Sequence, residues 1–134
     1  VGYVFAKNLS AHLDVPIGLI DSHKGGTPVE TWMTNNSKKA LGAKVGKSGY
    51  NCMIAPLHKF AIKGVISYQG ENNARTIQSS LAYSKNFKTM ITDWREAWGL
   101  GDFPFLYVQL AGYAKTKGTN APVTWPFLRE SQQF

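Results

Sequence analysis

Cysteine is nearly absent from these 134 residues: Cys52 stands alone, which excludes an internal disulfide and any site built on several thiolates. Arginine is scarce as well, at three positions, and nowhere alternates with aromatic side chains as a nucleic-acid platform does, so no nucleic-acid partner is expected. No apolar run approaches the roughly 20 residues that cross a bilayer, and no basic segment followed by an apolar one opens the chain, so no membrane partner is read here. Acidic side chains are missing altogether from Thr31 to Gly70, a stretch that holds Lys38, Lys39, Lys44, Lys47, Lys59 and Lys63. Within a net charge of +7, that stretch reads first as a solvated face and second as a surface that attracts a polyanion. Cys52 has apolar neighbours in Met53 and Ile54 and reads as a packed thiol rather than a nucleophile.

What is present is a globular balance. Hydrophobic residues make up 43% and charged residues 17%, which rules out a disordered composition and allows a sizeable core. The first residue is Val1 rather than Met and a helix follows at once, so the chain is expected to begin inside a longer protein.

Gly2 to Leu13 carries Val4, Phe5, Leu9 and Leu13 on one stripe and predicts an amphipathic helix that stops before Pro16. Ile17 to Asp21 reads as a buried strand, Val29 to Met33 as a helical turn, and Asn35 to Gly49 as a lysine-rich surface excursion. A short helix is expected within Tyr50 to Phe60 and a second strand over Ile62 to Tyr68. Arg75 to Trp98 is the longest helix, with Ile77, Leu81, Phe87, Met90, Ile91, Trp94 and Trp98 near one face and glycines closing it. Phe103 to Leu110 is a third strand, Ala111 to Val123 a loop, and a last helix starts at Thr124. Alternation of this kind predicts an α/β fold with a parallel sheet between helix layers.

Ligands of such folds sit at the carboxyl ends of the strands. After the first strand comes Lys24-Gly25-Gly26-Thr27-Pro28, where glycine lets a backbone N–H approach a developing oxyanion. After the second comes Gln69-Gly70-Glu71-Asn72-Asn73, which offers side-chain amides at the neighbouring tip. Asp21-Ser22-His23 contains the letters of a hydrolytic triad, but adjacent side chains on an extended chain point in opposite directions, so it is not read as one. No cofactor and no metal site is read anywhere.

The blocks PIGLIDSHKGGTPVETWM (16–33), NCMIAPLHKFAIKGVISYQGENNA (51–74), DWREAW (93–98), FPFLYVQLAGY (103–113) and WPFLRESQ (125–132) together resemble the sialate O-acetylesterase family of SGNH-type hydrolases, most specifically in GGTP-x-E-x-W with YQGEN. That resemblance implies a three-layer α/β/α sandwich of SGNH or flavodoxin-like type. It implies removal of O-acetyl groups from sugars by a Ser–His–Asp triad through an acyl-enzyme, and a secreted or periplasmic location. The family's serine block, of the form G-Q-S-N, and its D-x-x-H block do not occur here, so residues 1–134 are expected to be a single partial esterase domain, inactive alone. The matching positions are Gly26 and Gln69 as oxyanion donors, with Glu71 and Asn73 supporting the loop by hydrogen bonds. Lys24, Gly25, Thr27, Trp32 and Tyr113 are the candidate substrate contacts for an O-acetylated sugar; Lys24 stands where the family often has Trp. In the family the nucleophile's strand lies between the first two strands seen here. Without it a gap of roughly 10 Å and two open apolar edges are expected, with strand swapping or self-association as the outcome. Two other readings are a non-catalytic carbohydrate-binding remnant that stacks sugars on Trp32, Tyr113 and Trp125, and a basic polyanion binder that uses the lysines of 38–63.

Overall fold

The computed structural model describes residues 1–46, 49–113 and 123–133. Helix α1 spans Gly2–Leu13, α2 Asn35–Ala40, α3 Ile77–Trp98 and α4 Trp125–Ser131, and single 3-10 turns cover Val29–Trp32, Ala55–Leu57 and Glu71–Arg75. One π-type turn covers Tyr50–Ile54. Strands β1 (Val65–Ser67) and β2 (Phe105–Tyr107) pair in parallel, with Ile66 opposite Leu106. The protein is therefore a mixed helix and strand fold with a small parallel sheet, its strands connected through α3.

Helix α3 organises the rest. Thr76 and Ser79 form a reciprocal cap at its start, and Gly99, at φ 61°, takes the left-handed turn that ends it. Its buried face is Ser80, Tyr83, Asn86, Phe87, Met90 and Trp94, spaced three or four residues apart. Ile77 and Leu81, expected on that face, are exposed, while Tyr83, Ser80 and Asn86 turn inward. The reason is chemical: these polar side chains find buried partners, so the helix is rotated toward them in its first turns. Phe87 meets Phe105 and Tyr107 edge-on at 5.7 and 5.3 Å, which seats α3 on the sheet. Full burial of each such side chain is worth about 1.5–3 kcal/mol. Val29, Met33, Leu110 and Leu128 complete the core beside Tyr83 and Phe87.

Three expectations are corrected. Residues 17–21 form no strand among the described residues, and Leu19 and Ile20 are half-exposed. A strand exists only through a partner's hydrogen bonds, and the partner of β1 is β2. Cys52 is exposed rather than packed. Lys38, counted within a solvated face, is 3% exposed, because α2 forms inside the supposed surface excursion and turns this residue under; Lys47 lies outside the described residues. Of the loop expected over 111–123, residues 114–122 also lie outside them.

The apolar stripe of α1 is only partly used. Ala6 is its buried residue, whereas Val4 and Leu13 stand in the open. Val1, Phe5, Ile66, Leu106, Tyr107 and Val108 line a hollow of about 120 Å³ between this helix and the sheet.

Candidate active site

The carboxyl end of β1 and the loop at 24–28 meet through one side chain. Gln69 lies two residues past β1, and its Nε2 donates to the carbonyl oxygen of Thr27 at 3.1 Å. The same nitrogen lies 3.5 Å from Asn73 Oδ1. Its other end is held from beneath: Tyr83 donates its hydroxyl to Gln69 Oε1 at 2.8 Å. Gln132 Nε2 donates to the Gln69 backbone carbonyl at 3.0 Å, and Leu110 N–H donates to Gln132 Oε1. The tips of β1 and β2 are thus joined through α4.

Gly26 is exposed at φ 70°, a conformation that disfavours any Cβ, and a Cβ built there would meet nothing within 4 Å. Its N–H makes no hydrogen bond within the described residues. Gly70 is the opposite case: φ is 135°, and a Cβ would sit 3.0 Å from Leu128 and 3.3 Å from Gln132 Nε2. One glycine serves an open turn; the other lets α4 close on β1.

Beneath both loops lies a buried polar node. Asn73 is 2% exposed. Its Oδ1 accepts from Val29 N–H at 2.8 Å, and its Nδ2 donates to both carboxylate oxygens of Glu30, at 3.0 and 3.3 Å. Asn86 Nδ2 donates to the same carboxylate at 2.6 Å. A partly buried carboxylate is tolerated when its lone pairs are met in this way. Glu30 belongs to the GGTP-x-E-x-W block, but its partners come from 43 and 56 residues away, so its work was not readable from local spacing. Tyr83 and Gln132 were likewise missed; only the presence of Gln132 in the WPFLRESQ block pointed to it.

The other expected residues take distinct places. Glu71 is exposed and makes no side-chain hydrogen bond among the described residues, so the hydrogen-bonded loop support expected of it falls instead to Glu30. Thr27 Oγ1 donates to Lys24 O at 2.8 Å and accepts from Trp32 Nε1 at 3.1 Å, which staples the loop. Trp32 is 7% exposed and packed in the core, so it carries the loop from below and offers no free face for a sugar. Lys24 and Gly25 are exposed at the loop's tip. Tyr113 is 61% exposed and lies 5.0 Å from Trp125, whose Nε1 donates to Ala111 O. This aromatic pair stands past the carboxyl end of β2.

Asp21, Ser22 and His23 do not form a triad. His23 Nδ1 and Asp21 Oδ1 lie 2.7 Å apart in solvent, while Ser22 Oγ donates to Met53 O on the other side of the chain. His58 is wedged between the rings of Tyr50 and Trp98, and burial lowers its pKa. Lys38 lines a cleft of about 520 Å³ with Glu30, Pro28 and Thr31. Burial lowers its pKa, and the Glu30 charge partly opposes that. Among the described residues no group of three or more His, Cys, Asp or Glu side chains is placed to hold a metal ion, and no helix is long and apolar enough to cross a membrane.

These residues belong to a recognised group. The profile of the family described as carbohydrate esterase, sialic acid-specific acetylesterase, matches residues 1–132, and the chain is a member of that family. It is 36% identical to the sialate O-acetylesterase of Homo sapiens over 90% of this chain, and 30% identical to that of Rattus norvegicus over 84%. A crystal structure of a carbohydrate acetylesterase from Xanthomonas citri superimposes with a TM-score of 0.80 at 42% identity, over 98% of this chain and 31% of that one. The chain spans 27% and 29% of the length of the human and rat relatives.

Proposed function

We propose that residues 1–134 form part of a single carbohydrate O-acetylesterase domain of three-layer α/β/α architecture, the part that supplies its oxyanion-stabilising and sugar-facing loops. The observation that carries the reading is the bond from Gln69 Nε2 to Thr27 O, which sets a side-chain amide donor beside the glycine pair. The substrate is an acetyl ester of a sugar hydroxyl. A serine outside these residues attacks the acetyl carbon, and its proton passes to a histidine. The carbonyl oxygen takes up the negative charge, where Gly26 N–H and a Gln69 amide proton donate to it. The carbonyl re-forms, the sugar leaves as its alcohol with the histidine's proton, and water then releases acetate from the acyl-enzyme. Donors fixed before the reaction act without reorganising as charge develops, and Gln69 is fixed at both ends of its amide.

The test compares the protein at its full natural length with the 134-residue polypeptide, using 4-nitrophenyl acetate and an O-acetylated sugar. Turnover is expected in the first and only background in the second. Gln69→Ala is expected to lower kcat of the first by about 10²–10³; full activity in that variant sinks the assignment.

A second reading rests on the exposed Tyr113 ring beside the partly buried Trp125, an aromatic pair of the kind that stacks on sugars. On that reading the segment is a non-catalytic carbohydrate-binding remnant. Glycan binding without turnover at full length favours it.

A further inference from the structure

The structure assigns Tyr83 as the residue that positions Gln69 for oxyanion binding, by holding the oxygen end of its carboxamide so that the nitrogen end faces the glycine loop; the assignment rests on the esterase reading above. A carboxamide has an acceptor end and a donor end of nearly equal shape, and only its partners decide which way it lies. Here the two ends are told apart. Thr27 O, 3.1 Å from one end, accepts only. The Tyr83 hydroxyl, 2.8 Å from the other, brings a single proton.

That proton has two acceptors in reach, Gln69 Oε1 at 2.8 Å and Gln69 O at 3.1 Å. The backbone oxygen is already served by Gln132 Nε2 at 3.0 Å, so the side-chain oxygen is the acceptor left in need. Tyr83 is fully buried against Phe87, 5.3 Å away, and its ring cannot swing without opening the core. Burial drives its pKa well above the ordinary value, with the nearby Glu71 and Glu30 charges adding to the rise and the Gln132 side chain opposing it, so it stays a donor throughout the working range of an esterase.

A hydroxyl on the amide oxygen also polarises the N–H bonds at the far end, which strengthens them as donors to an anion. Asn73 Oδ1, at 3.5 Å, is at the edge of hydrogen-bond range and already accepts from Val29 N–H. One Gln69 proton is therefore held by Thr27 and the second is weakly engaged, available to an oxyanion. Tyr83 touches neither substrate nor reacting atoms on this account. It acts through Gln69, and Tyr83→Phe removes one oxygen while keeping the ring.

The experiment is a double-mutant cycle in the protein at its full natural length. Tyr83→Phe is expected to lower kcat about tenfold with KM changed less than about twofold, the signature of an interaction strengthened in the transition state. Gln69→Ala and the double variant are expected to share one kcat within about twofold, since Tyr83 has nothing to position once the amide is gone. Losses that multiply independently overturn the positioning role while leaving Gln69 as the donor; a Gln69→Ala variant with full activity overturns the esterase reading instead. A second readout needs no turnover: hydrogen exchange at the Gln69 carboxamide, followed by nitrogen-15 NMR. Tyr83→Phe is expected to speed it about tenfold while α3 backbone amides change less than about twofold, as for one lost hydrogen bond with its helix intact. Unchanged exchange at the carboxamide overturns the inference whatever the assay reads.

Discussion

Removing the Asn73 side chain should cost more stability than any other single truncation near the two loops. Three consequences follow from Asn73→Ala. Val29 N–H, on a residue with no exposed surface, loses its acceptor. An unpaired buried donor costs about 1–3 kcal/mol. The Glu30 carboxylate loses the donor that spans both its oxygens and keeps, among the described residues, Asn86. A hydrogen bond to a charged group is worth about 1.5–3 kcal/mol. The third consequence is a small void where a 2%-exposed amide had been. Because the terms share one network they do not simply add, and about 4 kcal/mol is the expected total.

At a urea slope of about 2 kcal/mol per molar, that moves the unfolding midpoint down by about 2 M. Trp32 and Trp94 lie in the same core, so intrinsic fluorescence reports the transition. Asn72→Ala is the control, since Asn72 is the same residue type one position away and only partly buried; it is expected to stay within about 0.5 kcal/mol. Asn73→Asp sharpens the test, because it keeps an acceptor for Val29 but sets a second carboxylate against Glu30. Its unfolding midpoint at neutral pH should stay well below the parent's. An Asn73→Ala midpoint within about 0.5 M of the parent would refute the idea that this node bears the loops.

Other outcomes are expected. Gly70→Ala should destabilise by about 3 kcal/mol in thermal or urea unfolding, from a positive φ and a Cβ pressed on Leu128 and Gln132, whereas Gly26→Ala, with open space around it, should cost about 1 kcal/mol. Lys38→Met should leave stability unchanged or raise it, because the stem still packs and a buried charge is removed; a loss above about 1 kcal/mol in urea would show that the amine is well bonded. His58 is harder to protonate folded than unfolded, so stability should fall as pH drops below about 6.5, and His58→Gln should flatten that part of the profile in melting curves taken at pH steps. The half-exposed Leu19 and Ile20, beside the open stripe of α1, predict self-association of the 134-residue polypeptide, strand-swapped or otherwise; sedimentation as a monomer across a hundredfold range of concentration would contradict it.

Periodicity found α1 and α3 but not the short polar α2: α3 has a capping pair, an apolar repeat and a closing glycine within one stretch. Periodicity also missed in an instructive direction. Ile77 and Leu81 look like core residues and are not, while Tyr83 and Asn86 look like surface residues and are buried, because what draws them in is a carboxylate and a carboxamide from distant segments. Residues 17–21 failed for a similar reason. Their apolar run is compatible with a strand, but among the described residues it pairs with neither β1 nor β2. The site was legible where glycines and amides stand next to strand ends, in Gly25, Gly26, Gln69 and Asn73. It was illegible where a side chain acts on another from a different element, 14 residues away for Tyr83 and more than 40 for Glu30 and Gln132.

That division bears on how the two loops came to be joined. Neither has a regular ladder to hold it, and Thr27, Glu30, Gln69 and Asn73 replace a ladder with side-chain hydrogen bonds that reach from one tip to the other. A ladder fixes backbone spacing by consuming the N–H groups that face the partner strand. Side-chain ties fix the same spacing and leave Gly26 N–H and one Gln69 proton unclaimed or weakly held. On the esterase reading proposed above, the node that stabilises the loops, Asn73 with Glu30, and the donors offered to a substrate, Gly26 N–H and the second Gln69 proton, are different groups on neighbouring residues. Weakening the first, at Asn73 or Glu30, should lower stability and kcat together. Weakening the second, at Gln69 alone, should lower kcat with a far smaller effect on the unfolding midpoint.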